Sequence, residues 1–148
     1  HIMNHYEKFG FKEFIICLGY KQEIIKDYFI NYNLRQSDII VDLKDGKTKL
    51  LKKLKKDWKV SLIQTGIATK TGGRIKKIQN LIAEENFLLT YGDGLSNINI
   101  NKLIEFHKEK GKSLTISAFK PQARFGELEI TNGEVDSFQE KPQLKQGP

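Results

Sequence analysis

The sequence predicts a three-layer α/β fold with a mostly parallel central sheet, and two observations favour it. Short apolar segments, such as residues 14–18, alternate along the chain with segments whose apolar residues recur at helical spacing. No internal repeat or low-complexity linker interrupts this alternation. At 148 residues and 39% hydrophobic composition, the chain is long enough for one domain with a core and too short for us to expect two.

The first half of the chain predicts a strand, a helix and a segment of uncertain form. The run KEFIICLGY, residues 12–20, indicates a buried strand because it is apolar and too short for a helix. KQEIIKDYFINY, residues 21–32, has apolar side chains at helical spacing and charged ones largely on the other side. We interpret residues 33–57 as an insertion, which forms either a hairpin or a strand followed by a basic amphipathic helix.

The second half of the chain continues the alternation and so predicts further βαβ units. The pattern ends in a TNGE turn typical of an antiparallel hairpin. In order, the predicted elements are the strand WKVSLIQTG, the helix GGRIKKIQNLI, the strand NFLLTY, the helix NINKLIEFHKEKG, the strand SLTISAFK and the hairpin GELEI–TNGE–VDSFQ.

Composition narrows the class of function. The formal charge of +7 favours an anionic partner, although the lysine-rich part of residues 44–59 is also explained as a solvated face. No apolar run is long enough to span a bilayer, so we expect a soluble protein without a membrane partner. The single Cys17 excludes a disulfide framework and fits a reducing cytoplasm. The three histidines show no spacing typical of a zinc site.

Both ends of the chain look truncated. HIMNHYEKFG resembles the last turns of a helix without an N-cap, and EKPQLKQGP leaves a strand with no following element. We therefore expect an internal fragment of a longer chain.

Asp93 is the first candidate for chemistry. It lies between two glycines directly after the predicted strand NFLLTY, and ligands of parallel sheets gather beyond the carboxyl ends of strands. A carboxylate there can hold Mg²⁺ against phosphate oxygens. The alternative is a turn in which Asp93 bonds its own backbone.

Two further segments are candidates for anion binding. TGIATKTGGRIKK, residues 65–77, opens a helix with paired glycines and adds Arg74, which suits a phosphate or nucleotide, although it lacks the spacing of the dinucleotide and P-loop motifs. The alternative is a flexible connection between strand and helix. In FQEKP, residues 138–142, Lys141 could reach a phosphate, but an exposed lysine is common on any surface.

Taken together, the motifs carry a resemblance that none of them carries alone. The order FxEFIICLGYK, TGxxTxTGGRIK, FLLTYGDGLS, NININ, LIEFHKxxGK, RFGEL and SFQEKP strongly resembles the sugar nucleotidyltransferases, and among them the glucose-1-phosphate cytidylyltransferases. The resemblance implies a Rossmann-like nucleotidyltransferase fold, with residues 1–148 as a partial domain. It implies the partners CTP and glucose 1-phosphate, Mg²⁺ as cofactor, and the products CDP-glucose and pyrophosphate in surface polysaccharide (O-antigen) synthesis.

The resemblance also implies roles for single residues in nucleotide binding. Thr69, Gly72, Gly73 and Arg74 would line the pocket for the cytosine base. Gly92 would contact the nucleotide through its backbone.

For the metal and the sugar, the resemblance implies a second group of residues. Asp93 would be one of two Mg²⁺ ligands. Gly126, Glu140 and Lys141 would hold the hexose 1-phosphate.

Two elements of the resembled family fall outside the sequence. The GGxGTR loop that grips the triphosphate would precede His1, and the second metal aspartate would follow Pro148. We therefore assign no catalytic residue and expect the chain alone to be inactive. The insertion at 33–57 would serve subunit contacts in a homo-oligomer.

Three alternatives stay open from the sequence. The chain could belong to a nucleotidyltransferase of another base or sugar specificity. It could also be a basic nucleic-acid-binding module, although no stacking ladder or groove-reading motif accompanies its lysines. The third alternative is a non-catalytic assembly module.

Overall fold

The computed structural model describes residues 1–52, 55–82, 86–119 and 126–140, and it confirms the α/β class. The chain divides into two compact units, His1–Leu103 and Ile104–Pro148, while the single domain 1–148 stays a prediction. In chain order the elements are α1 (Ile2–Glu7), β1 (Glu13–Leu18), α2 (Gln22–Ile30), α3 (Tyr32–Gln36), β2 (Ile39–Asp42), β3 (Lys47–Leu50), β4 (Lys59–Gln64), α4 (Thr71–Lys77), a 3₁₀ turn (Gln79–Leu81), α5 (Ile100–Lys110), β5 (Glu127–Thr131) and β6 (Glu134–Gln139).

The first unit is organised around a parallel pair of strands. β1 and β4 pair in register from Glu13 opposite Lys59 to Leu18 opposite Gln64. Among the described residues, this pair is what forms of the predicted parallel sheet. The other two sheets in the same part of the chain are antiparallel hairpins. Leu18 is buried at the end of β1, so the core reaches the edge of the sheet where both strands end.

An aromatic cluster packs helix α2 and its neighbour α3 beside this pair. The Trp58 ring centroid lies 5.8 Å from that of Phe14 and 6.2 Å from that of Tyr32. The ammonium of Lys56 lies 4.4 Å from the centre of the Trp58 ring and pairs with the carboxylate of Glu7. The rings of Tyr32 and Trp58 border a cavity of about 310 Å³, which is lined by Phe29, Ile30, Tyr32, Asn33, Lys56, Trp58, Val60 and Leu62.

The insertion is a hairpin, one of its two predicted forms. β2 pairs antiparallel with β3, and the carboxylate of Asp42 accepts the backbone N–H of Lys44 at 2.9 Å in the turn between them. Gly46 has a φ of +67°, which a glycine adopts without strain. The helical alternative after β2 is therefore wrong for residues 47–50, because that stretch forms β3 instead.

Two predicted strands have no ladder in the structure. Residues 86–91 form no strand, and Tyr91 is 69% exposed. Residues 113–119 form none either, and Ile116 is 77% exposed. The prediction of a strand at each of these places is wrong because an extended apolar segment needs a neighbouring backbone to pair with, and the described chain offers none.

The second unit confirms two local predictions. β5 and β6 form an antiparallel hairpin whose turn residues, Asn132 and Gly133, both have positive φ, as a tight primed turn requires. Helix α5 ends before Gly111, whose N–H donates to the carbonyl of His107 at 3.1 Å and whose φ is +57°.

Candidate functional site

Arg74 joins the carboxyl ends of the two parallel strands. Its Nη1 donates to the carbonyl of Leu18 at 3.0 Å and to Oγ1 of Thr65 at 2.5 Å. Its Nη2 donates to the carbonyl of Ile67 at 3.3 Å. One guanidinium from helix α4 therefore contacts the end of β1, the residue after β4 and the loop that follows.

The structure brings three of the residues predicted for nucleotide binding together at this edge. Oγ1 of Thr69 donates to the carbonyl of Thr65 at 2.7 Å, close to Arg74. A Cβ on Gly73 would lie 2.9 Å from Cγ2 of Thr69, so the helix approaches the loop only because residue 73 is glycine. Gly72, by contrast, has open space beside it.

Sequence reasoning gave no individual role to three residues of this cluster, although two of them lie in the candidate segment 65–77. Thr65 is completely buried, and its carbonyl also accepts Nζ of Lys77 at 2.8 Å. At Gly19, an added Cβ would lie 2.8 Å from Nη2 of Arg74, so the guanidinium occupies the space of a side chain. The position of Thr65 directly after β4, and of Lys77 one helical turn after Arg74, was the signal available in the sequence.

The cluster is electropositive. Within the described ranges, neither Arg74 nor Lys77 has a carboxylate partner; their donors contact carbonyl and hydroxyl oxygens. Burial raises the pKa of the neighbouring Cys17 thiol, and the positive charge of Arg74 opposes that rise. Two uncompensated cations at the open end of a parallel sheet suit an anionic ligand.

Asp93 and Gly92 lie in a turn linked to the start of helix α4. The N–H of Gly94 donates to the carbonyl of Tyr91 at 3.3 Å, and Oη of Tyr91 lies 3.3 Å from Oγ1 of Thr71. Asp93 is exposed, and its carboxylate has no hydrogen-bond partner in the described structure. The turn is thus closed by backbone atoms, and the carboxylate is available to a ligand.

Asp93 is a single carboxylate, so a metal ion bound there would need further ligands. No group of three His, Cys, Asp or Glu side chains placed to hold a metal occurs in residues 1–52, 55–82, 86–119 and 126–140. One accessible carboxylate fits a hard cation that is also held by phosphate oxygens and water, which is how Mg²⁺ binds with nucleotides.

In the second unit, the predicted sugar-phosphate residues fall at one end of the β5–β6 hairpin. Glu127 pairs with Gln139, which places Gly126 and Glu140 at the same end. A Cβ on Gly126 would overlap the ring of Phe138, so the ring packs directly on this glycine. Lys141 lies outside the described residues.

The lysine-rich stretch is partly neutralised by acids. Lys47 pairs with Asp45 at 3.5 Å, and Lys59 pairs with Glu13 at 3.1 Å. The polyanion-binding alternative stays a prediction. In the part of the chain that the structure describes, no helix is both long and apolar enough to cross a membrane.

Comparison with known proteins gives the family of the chain. Residues 2–148 match the family described as Nucleotidyl transferase. The glucose-1-phosphate cytidylyltransferase of Salmonella typhimurium is 45% identical over 143 residues, which are 96% of this chain and 56% of that protein. A probable glucose-1-phosphate cytidylyltransferase of Bacillus subtilis is 40% identical over 141 residues, or 95% of this chain and 55% of the relative.

A more distant relative differs in its base and sugar. The D-glycero-alpha-D-manno-heptose 1-phosphate guanylyltransferase of Aneurinibacillus thermoaerophilus is 27% identical over 158 residues, covering 99% of this chain and 55% of that protein. The chain therefore spans little more than half the length of each of these three relatives.

Proposed function

Because the chain belongs to the nucleotidyl transferase family, we propose that it is part of a glucose-1-phosphate cytidylyltransferase. The observation that carries this proposal is the 45% identity over 96% of the chain to a protein of that name. The proposed reaction joins CTP and glucose 1-phosphate into CDP-glucose and pyrophosphate. An oxygen of the sugar phosphate attacks the α-phosphorus of CTP, and the bond from that phosphorus to the bridging oxygen of pyrophosphate breaks.

This chemistry needs positioning and charge neutralisation rather than a protein nucleophile. The electropositive edge formed by Arg74 and Lys77 supports an anionic nucleotide there. We propose that Thr69, Gly72, Gly73 and Arg74 line the pocket for the base. Arg74 still has N–H groups that can donate to the base, because a guanidinium has about five N–H groups and this one makes three hydrogen bonds to protein atoms.

The metal and sugar contacts complete the proposal. Gly92 has open space beside its backbone, which supports a close approach by the nucleotide. Asp93 would supply one ligand to Mg²⁺, which neutralises charge on the phosphates when it is bound. Gly126, Glu140 and Lys141 would contact the hexose 1-phosphate, with Gly126 and Glu140 supported by their shared end of the hairpin.

Assembly and location follow as further parts of the proposal. The insertion exposes apolar side chains, among them Leu43, which is 91% exposed, and Ile40, which is 52% exposed. Apolar surface of this kind supports subunit contacts in a homo-oligomer. The free Cys17 and a nucleotide substrate support a cytoplasmic enzyme of surface polysaccharide synthesis.

Nucleotide titration of the chain tests this proposal. CTP, UTP, GTP and ATP are each titrated calorimetrically into the protein with Mg²⁺, and CTP is expected to bind most tightly. Arg74→Gln should weaken CTP binding, whereas Arg35→Gln, which removes an exposed arginine paired with Asp27, should not. Equal binding of all four nucleotides would contradict the proposed preference for CTP. Tightest binding of another nucleotide would favour the alternative of a different base specificity.

A replacement experiment tests turnover. The chain takes the place of the matching 143 residues of the Salmonella typhimurium relative, and the chimera is assayed for CDP-glucose. Formation of CDP-glucose above a no-enzyme control is the expected result. A folded chimera that binds CTP but produces none would count against the assignment of glucose 1-phosphate as substrate.

A further inference from the structure

We propose that Thr65 is a positioning residue that holds Arg74 and the loop carrying Thr69 in one arrangement at the nucleotide site. This inference rests on the proposed function, and it concerns a residue to which the sequence analysis gave no role of its own. Thr65 does not touch the ligand in this proposal. It acts through the two side chains that do.

The polar atoms of Thr65 connect every part of the cluster. Its N–H and its hydroxyl both donate to the carbonyl of Leu18, at 3.0 and 2.8 Å. The hydroxyl oxygen accepts Nη1 of Arg74 at 2.5 Å. Its carbonyl accepts Oγ1 of Thr69 at 2.7 Å and Nζ of Lys77 at 2.8 Å.

Burial makes the loss of any of these hydrogen bonds costly in free energy. Thr65 is 0% exposed, so water does not replace a partner that is lost, and an unpaired buried polar group is costly. Because Nη1 of Arg74 contacts both Leu18 and Thr65, the plane of the guanidinium is fixed relative to the strand ends. Its remaining N–H groups then point in a defined direction, which is what recognition of a planar base requires.

Hydroxyl removal with retention of shape is the direct test. Thr65→Val deletes the contacts of the hydroxyl, Thr65→Ser keeps them, and Thr48→Val is the matched control on the exposed strand β3. The Kd for CTP should rise about tenfold or more in Thr65→Val, the loss expected for one hydrogen bond to a charged group. Thr65→Ser and Thr48→Val should stay within about twofold of the parent.

Amide hydrogen exchange separates positioning from a general role in folding. In Thr65→Val without nucleotide, exchange of the amides of residue 65 and Arg74, which donate to Leu18 and Lys70, should accelerate about tenfold more than exchange in residues 61–63 of β4. Equal acceleration in both sets of amides would overturn the proposal, because Thr65 would then serve only the stability of the sheet. Unchanged exchange of the amides of residue 65 and Arg74 would overturn it as well.

Two further outcomes are decided by the same measurements. If the parent chain binds no nucleotide, the exchange comparison alone decides whether Thr65 holds the loop, and the chimera decides the proposed function. If Thr65→Val does not fold, Lys77→Met tests the same carbonyl from an exposed side chain, with Lys76→Met as its control. Faster exchange of the amides of Thr65 and Arg74 in Lys77→Met alone supports the proposal, and identical exchange in both variants overturns it.

Discussion

Substitution of Gly66 by alanine should destabilise the first unit and weaken nucleotide binding together. Gly66 has a φ of +96°, a conformation that costs an alanine about 1–3 kcal/mol. The added Cβ would also lie 3.0 Å from Oγ1 of Thr69, so this hydroxyl must shift by a few tenths of an ångström against its bond to the carbonyl of Thr65. Weakening of that hydrogen bond adds at most about 0.5–1.5 kcal/mol.

Gly10→Ala is the matched control for this prediction. Gly10 lies in the same unit with a φ of +90°, but nothing lies within 4 Å of an added Cβ. Urea unfolding of both variants should therefore show a larger loss of unfolding free energy for Gly66→Ala, and only that variant should bind CTP more weakly. Equal destabilisation of the two variants, with CTP affinity unchanged in both, would refute the reasoning that the loop conformation serves the site.

Three other predictions concern charge and protonation. Asp93→Asn in the chimera should lower Mg²⁺-dependent turnover by about 10²-fold with little change in the unfolding midpoint. Turnover close to that of the parent chimera would indicate that Asp93 is only a turn residue. Burial raises the pKa of the Cys17 thiol, so the stability linked to this group declines as the pH rises past the ordinary thiol pKa. Iodoacetamide should therefore modify Cys17 more slowly in the native chain than in urea, and equal rates would contradict this. The hydrogen bond from Lys12 lowers the pKa of Asp57, so the exposed pair stabilises the fold at neutral pH, and this stabilisation is lost as the pH falls through that lowered pKa. High salt should reduce the loss of unfolding free energy caused by Asp57→Asn, and a loss that persists undiminished would oppose this view.

The sequence predicted the local elements well because their signals are local. The Asn132–Gly133 turn, the glycine that ends α5 and the helical spacing of α2 each act within a few residues. The parallel pairing of β1 with β4 could also be predicted, because a strand, a helical segment and a second strand in sequence favour that topology.

Elements that depend on distant partners were harder to predict. The apolar run in NFLLTY indicates a segment suited to a sheet, but it does not supply the neighbouring strand that a ladder requires. Likewise, the motif TGGR marked Arg74 as a candidate for ligand binding, whereas its bonds to Leu18 and Thr65 depend on where two strands end. The set of hydrogen bonds at Thr65 is a property of the tertiary structure, and the motif that begins at this residue does not reveal it.

The register of the parallel pair carries a consequence for how the chain folds. Glu13 and Lys59 are 46 positions apart, so β1 and β4 meet only after a long loop has closed, whereas the β2–β3 hairpin closes over a short turn inside that loop. Loop closure becomes costlier only slowly with length, by about 0.6 kcal/mol per doubling. An insertion between the two strands is therefore inexpensive for the native state, and it acts mainly on the rate at which the two strands find each other. This part of the chain is free to vary in length while the edge that holds Arg74 keeps its geometry.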